Sequence, residues 1–140
     1  DRRTGRARLV AMPRVVWVAL GGAIGSVARY LVQGWVQTAA ESRGRLVAFP
    51  WGTLVVNLSG CLAIGLLAGL FQERLLVAPE TRSFVLIGIL GGYTTFSSFG
   101  WETLALARDA GFALALGNVV ASVALGLAGV WLGAAIARGL

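Results

Sequence analysis

The stretch GILGGYTTFSSFGWETLAL, residues 88–106, places two adjacent glycines, two adjacent threonines, two serines and two phenylalanines inside an apolar run. Each glycine lowers helix propensity by about 1 kcal/mol relative to alanine, and threonine hydroxyls compete for backbone partners. A helix that breaks at membrane depth is tolerated where its freed groups line a cavity or bind an ion. The stretch therefore predicts a helix broken near Gly91–Thr95, with an intact helix bearing a packed Gly-Ser-Thr face as the alternative.

The rest of the chain is hydrophobic enough to indicate that this stretch lies in a membrane. The 140 residues are 57% hydrophobic and 13% charged, with a mean hydropathy of +0.79, whereas soluble domains are about 25% charged. Four nearly uncharged runs each reach the roughly 20 residues that a spanning helix needs. These runs are 15–37, 51–71, 84–106 and 110–137.

This pattern predicts an all-α integral membrane protein with four transmembrane helices, located in the cell membrane. Residues 15–137 form its membrane domain, preceded by a basic tail over 1–14 and followed by a short tail over 138–140. The chain has no histidine and a single cysteine, Cys61. Histidine-based catalysis, an intrachain disulfide and CxxC metal sites are therefore excluded, and we expect no enzyme.

All twelve basic residues are arginines, and five of them fall within the first fourteen residues. Basic residues next to spans set orientation by staying in the cytoplasm. If translation starts at Met12, the two sides of the membrane carry nearly equal numbers of arginines, so the chain could insert both ways. With residues 1–11 present, the N-terminus is favoured inside. For a start at Met12, one side of the membrane carries Arg14, Arg74, Arg82 and Arg138, and the other side carries Arg43, Arg45 and Arg108.

Glycines recur at four-residue spacing in every run, as in Gly21/Gly25 and Gly88/Gly92. Small residues at this spacing let helices approach closely in lipid. We therefore expect most of the glycines to serve helix packing, including Gly65/Gly69 and Gly129/Gly133. Helices packed this closely have no room for a wide pore, so transport would involve either a small solute or an assembly of chains.

Phe96 and Phe99 are three residues apart and share a helical face, with Ser97 and Ser98 between them. Ordinary packing is the simplest reading of two phenylalanines. Aromatic rings, however, carry a positive edge, so two edges can approach a small anion while the rings exclude water. Hydroxyl and amide hydrogens can supply the remaining contacts.

Polar residues on other runs could join such a path. Asn57 has Thr53 one turn earlier on the same face, and Asn118 and Ser122 are likewise four apart. Buried polar side chains between membrane helices often act as interhelical glue worth about 0.6 kcal/mol. These polar residues could therefore either hold the helices together or line a shared ion path, and both interpretations remain open.

Arg29 is the basic residue that lies well inside a run. It either snorkels to an interface or forms a cationic vestibule that attracts anions. Glu102 lies toward the end of the third run, and the first two runs contain no embedded carboxylate. A proton-coupled exporter needs a titratable group in the membrane, so this composition argues against one.

Three motifs resemble signatures of the Fluc/CrcB family of fluoride channels. They are GGYTTFSSF (91–99) in the third run, PWGTLVVNLSG (50–60) in the second and GGAIGSVARY (21–30) in the first. The resemblance implies four-helix subunits that form antiparallel, dual-topology dimers. It implies two fluoride pores per dimer, passive export of cytoplasmic fluoride and a central structural sodium ion.

The resemblance also assigns roles by position. It implies that Phe96 and Phe99 contact fluoride with their ring edges and that Asn57 is the pore asparagine. Arg29 would lie at the vestibule, and Glu102 falls on a position that recurs in the family. The polar lining would comprise Thr53, Ser97, Ser98 and Ser122, and backbone carbonyls at Gly91 and Thr94, from both subunits, would bind the sodium.

Two features depart from the family pattern. Asn118 stands where some relatives have a tyrosine, and the arginine-rich tail conflicts with dual topology in a homodimer. The tail favours either a start at Met12, a tolerated extension, or pairing with an oppositely oriented paralogue. The alternative functions are a small dual-topology exporter of the multidrug type and a non-conducting membrane subunit.

Overall fold

The computed structural model describes residues 2–44, 48–73 and 75–140. Those residues contain six α-helices and one π-helical segment, and no β-strand. The expected all-α fold is therefore confirmed. The helices are α1 (Arg2–Glu41), α2 (Trp51–Glu73), α3 (Pro79–Arg82), α4 (Leu90–Tyr93), α5 (Phe96–Asp109) and α6 (Phe112–Gly139), with the π-helical segment Ser83–Ile89 between α3 and α4.

Within the described part of the chain, four stretches are long and apolar enough to cross a membrane, as the sequence predicts. They are Arg14–Glu41, Trp51–Gln72, Pro79–Asp109 and Phe112–Gly139. The helix α1 begins at Arg2 and contains the first of these stretches; Asp1 lies outside the described residues. Arg45 and Arg74, which entered the charge count, also lie outside them.

Glycines bring α1 against the third span. A Cβ at Gly21 would lie 2.9 Å from the Cα of Gly88, and one at Gly25 would overlap the carbonyl oxygen of Ile89. Backbone can approach backbone this closely because no side chain intervenes. The predicted packing role of these glycines is confirmed here.

A second glycine contact joins α2 to α6, which pack along most of their lengths. A Cβ at Gly133 would lie 2.6 Å from the amide nitrogen of Leu66, and one at Gly65 would overlap the carbonyl oxygen of Val130. The two glycine contacts fix α1, α2 and α6 around the third span and so set the walls of its cavities.

The third span changes helical form before it breaks. Pro79 occupies the first turn of α3, where its missing N–H costs no hydrogen bond. The π-helical segment then ends where the Leu90 amide donates to the carbonyl of Val85, five residues earlier. After α5, Gly111 adopts φ of 104°, a left-handed conformation that glycine tolerates, and turns the chain into α6.

Candidate functional site

The third span is interrupted between α4 and α5, at Thr94 and Thr95. Thr94 has φ −84° and ψ 157°, and Thr95 has φ −149° and ψ 116°, so both are extended. The predicted break near Gly91–Thr95 is confirmed and lies at its C-terminal end. Two adjacent β-branched residues favour extended backbone, which explains why the helix stops here.

Asn57 on α2 binds the backbone at this break. Its Nδ2 donates to the Thr95 carbonyl over 3.0 Å, and its Oδ1 accepts from the Thr95 amide over 2.8 Å. One side-chain amide thus satisfies both backbone groups of an extended residue inside an apolar bundle. Since such groups are costly when unpaired in lipid, Asn57 is a structural requirement for the break.

The Thr95 side chain caps the start of α5. Its Oγ1 accepts from the Ser98 amide over 3.2 Å and donates to the Ser98 hydroxyl over 3.0 Å. Ser97 Oγ lies 3.4 Å from the same hydroxyl oxygen. Ser97 and Ser98, predicted to line an ion path, therefore belong to the cap in this arrangement, with Ser97 exposed.

The same hydrogen bonds redirect donors away from two carbonyls. In an uninterrupted helix the Thr95 amide would donate to Gly91 and the Ser98 amide to Thr94. Here those amides donate to Asn57 and to the Thr95 hydroxyl. The carbonyls of Gly91 and Thr94 thus lose their helical donors, and these are the two residues to which the resemblance assigned a sodium ion.

A cavity of about 370 Å³ opens beside the break. Six of the predicted site residues line it: Asn57, Gly91, Thr94, Phe96, Phe99 and Ser122. The rings of Phe96 and Phe99 have centroids 5.5 Å apart and an interplanar angle of 43°. Among the described residues, no charged side chain lines this cavity, which we call the break cavity.

Polar side chains continue from the break cavity toward α6. Asn118 is 1% exposed and donates to Thr103 Oγ1 over 2.8 Å, while Thr103 donates to the Phe99 carbonyl over 2.7 Å. Ser122 donates to Asn118 Oδ1 over 3.5 Å, as their spacing of four residues allows. Asn118 therefore links α6 to α5 through Thr103.

Thr53 lies in a different cavity, of about 460 Å³, with Gln33 and Glu102. The Thr53 hydroxyl donates to Glu102 Oε1 over 2.8 Å, and Gln33 Nε2 donates to Thr53 over 2.9 Å. The second oxygen of Glu102 is buried and has no hydrogen-bond partner among the described residues. We call this space the carboxylate cavity.

Asn57 lines the break cavity and Thr53 lines the carboxylate cavity. Because these two residues are one turn apart on α2, the cavities are separated by about 6 Å along this helix. Arg29 lies one turn before Gln33 on α1, is half-buried, and does not line either of the two cavities. Its vestibule role stays a prediction.

Three residues that organise the site were not among the predicted site residues: Thr95, Gln33 and Thr103. Thr95 carried a local signal, because a threonine three residues before Ser98 at a helix start is a typical N-cap. Gln33 and Thr103 had none, because their partners are 20 and 15 residues away in sequence.

These features define the class of the protein: a multi-pass helical membrane protein with a neutral polar cavity at the break of its third span. Residues 16–134 match the family described as CrcB-like protein, Camphor Resistance (CrcB). The match covers most of the chain, so the protein belongs to the CrcB family.

Relatives are similar over nearly their whole length. A protein of Solibacter usitatus (strain Ellin6076) is 52% identical over 121 residues, which cover 86% of this chain and 95% of the relative. A protein of Opitutus terrae is 49% identical over 131 residues, covering 92% and 96%. A protein of Geobacter sulfurreducens is 47% identical over 129 residues, covering 92% and 100%. Each is named fluoride-specific ion channel FluC.

Proposed function

We propose that this protein is a fluoride-specific ion channel through which cytoplasmic fluoride leaves the cell passively, conferring fluoride resistance. The observation that carries the proposal is the break cavity, where Asn57, Ser122 and the Phe96–Phe99 pair meet and no charged side chain of the described residues lies in the lining. The names of the relatives support the same activity. The activity is transport rather than catalysis.

The chemistry of the break cavity suits a small anion. Fluoride is strongly hydrated, so a selective path must replace its water with other donors. The Asn57 amide carries two hydrogens, and one of them is used by the Thr95 carbonyl. The second hydrogen and the positive ring edges of Phe96 and Phe99 are neutral contacts, whereas the Ser122 hydroxyl donates its hydrogen to Asn118 in this arrangement. Neutral contacts bind the ion firmly enough to admit it and weakly enough to release it.

The conducting unit in this proposal is an antiparallel dimer with two pores. The side chain of Phe96 is 84% exposed in a single chain, and Gly91 is exposed as well. A second subunit that packs here would enclose the break cavity and exclude lipid from the ion path. The partner is either a second copy of the chain or an oppositely oriented paralogue.

The proposal includes a structural sodium ion at the dimer interface. The carbonyl oxygens of Gly91 and Thr94 fit such an ion, because their helical donors are diverted and hard cations prefer oxygen ligands. When bound, sodium would supply the positive charge that offsets these carbonyl dipoles. The chain's own part is to hold the break open through Asn57 and Thr95.

Fluoride efflux from liposomes tests the proposal, read with a fluoride electrode beside a chloride control. We expect rapid fluoride release without chloride release. The variant Phe96→Ile/Phe99→Ile should lose fluoride release and keep its assembly, because it loses ring edges but keeps apolar bulk. Phe112→Ile, at a phenylalanine outside the cavity that is 75% exposed against 84% for Phe96, is the matched control and should conduct normally.

Three results would contradict the channel. One is a folded, assembled protein that releases no fluoride, alone or with its paralogue. The others are equal release of chloride and fluoride, and full conduction by the double phenylalanine variant.

A further inference from the structure

A groove of about 330 Å³ lies between the end of α1 and the start of α2, and we call it the α1–α2 groove. Its lining residues share one side of this helix pair and include Trp35, Ala39, Ala40, Arg43, Trp51 and Val55. Ala39 and Ala40 contribute only methyl groups, whereas Trp35 and Trp51 contribute indole rings. This difference in side-chain size leaves a concave, largely apolar surface.

One charged side chain, that of Arg43, lies in the described lining of the groove. Arg43 is exposed, and the ion pair found in the described part of the chain joins Arg14 to Glu80 instead. Glu41 is the nearest carboxylate along the chain, and it accepts a hydrogen bond from Gln37 over 3.0 Å. The Arg43 guanidinium therefore has no carboxylate partner among the described residues.

The groove lies where the helices reach one surface of the membrane. The first span ends at Glu41 and the second begins at Trp51, so Arg43 lies just outside the apolar spans. Trp35 is 74% exposed, and indole rings favour the boundary between lipid headgroups and hydrocarbon. The guanidinium is therefore at the level of the headgroups, and the apolar lining extends from it toward the acyl chains.

The groove is on the face of α2 that points away from the break cavity. Val55 lines the groove and Asn57 lines the break cavity. Two residues turn an α-helix by about 200°, so these side chains leave α2 in nearly opposite directions. A second subunit that covers the break cavity therefore leaves the groove facing lipid.

We propose that the α1–α2 groove binds one anionic phospholipid, with its phosphate paired to Arg43 and an acyl chain along the apolar lining. A guanidinium can donate two parallel hydrogen bonds to a phosphate. In a zwitterionic headgroup an ammonium group already balances the phosphate charge, so the groove prefers an anionic headgroup such as phosphatidylglycerol. Basic pockets at the ends of membrane helices attract anionic lipids in the same way.

Native mass spectrometry tests the charge. The full chain in detergent is titrated with phosphatidylglycerol or phosphatidylcholine, and we expect tighter binding of phosphatidylglycerol. Arg43→Gln should weaken that binding about fivefold, the effect of one arginine near a lipid surface, and leave phosphatidylcholine binding unchanged. Arg108→Gln, at an exposed arginine outside the groove near the end of the third span, is the matched control and should bind like the wild type.

A second variant tests the shape of the groove. Ala39→Leu keeps Arg43 but fills the groove, so it should weaken binding of both lipids, and thermal unfolding checks that it is folded. Glycerol 3-phosphate has the phosphate without an acyl chain and should not compete at concentrations where phosphatidylglycerol binds.

Four results would overturn the lipid site. They are unchanged phosphatidylglycerol binding by Arg43→Gln, an equal loss in Arg108→Gln, full lipid binding by folded Ala39→Leu, and displacement of phosphatidylglycerol by glycerol 3-phosphate. The second would mean that any arginine near the membrane surface suffices, and the last that the groove holds free phosphate.

Discussion

The break cavity and the carboxylate cavity lie one turn apart on α2 and differ in the kind of hydrogen bond that organises them. In the break cavity, Asn57 and Thr95 satisfy backbone groups, and the described lining is neutral. In the carboxylate cavity, the Thr53 hydroxyl gives its hydrogen to Glu102, an acceptor that repels anions when ionised.

This contrast indicates where an anion can be held. A neutral donor set offers contacts without trapping the ion, whereas a carboxylate uses up the nearest donors. Thr53 was predicted to line the fluoride path, and its hydroxyl is engaged by Glu102 in this arrangement. We therefore expect the anion to dwell at the break cavity, and variants at the two cavities can test this contrast.

Asn57→Ala should have the largest effect, because it removes both hydrogen bonds that hold the extended Thr95. Each backbone group left unpaired in the bundle costs about 1–3 kcal/mol, so the free energy of unfolding should fall by roughly 2–6 kcal/mol. Fluoride efflux should be lost. Thermal unfolding in detergent and liposome efflux measure the two effects.

Asn57→Asp is the matched variant, since its carboxylate can accept from the Thr95 amide but cannot donate to the carbonyl. Because it also places a charge inside the span, at a cost of about 2.5–3.5 kcal/mol, it should be no more stable than Asn57→Ala. If Asn57→Ala unfolds like the wild type, the contact between Asn57 and Thr95 does not hold the break.

Thr95→Ala should have an intermediate effect. It removes the N-cap of α5 and the partner of the Ser98 hydroxyl, and loss of an N-cap costs about 0.5–2 kcal/mol. Thr95→Ser keeps the hydroxyl and should restore most of the stability. If both variants are less stable than the wild type by the same amount, the methyl group that both lack stabilises the site and the N-cap does not. Thermal unfolding decides between these outcomes.

The fold could be predicted from the sequence because the signals that determine it are local. Run length predicts the four spans, and the glycine and threonine pairs predict the break. Four-residue glycine spacing predicted close packing, which Gly21 and Gly133 show. These features depend on residues within a few turns of one another, so no knowledge of the tertiary structure was needed.

The site was only partly predictable, because its contacts join residues distant in the chain. Asn57 was recognised as a polar residue in an apolar run, but its partner is the backbone of Thr95, 38 residues later. No sequence pattern predicts a hydrogen bond from a side chain to a particular backbone group far along the chain. Likewise, Thr53 shares a helical face with Asn57, yet its hydrogen bonds to Gln33 and Glu102 make it part of the carboxylate cavity.

Glu102→Gln should have the smallest effect and gives the sharpest test of the contrast. Glutamine keeps an oxygen that can accept from the Thr53 hydroxyl and removes the negative charge. Because a charge inside a span is costly, by about 2.5–3.5 kcal/mol for an aspartate on the insertion scale, the variant should unfold no more easily than the wild type. Fluoride efflux should stay within about tenfold of the wild type, a change in barrier of no more than about 1.4 kcal/mol. If the variant is stable but no longer conducts, the carboxylate itself acts on the ion path, and the two cavities form one conducting route rather than a conducting and a supporting one.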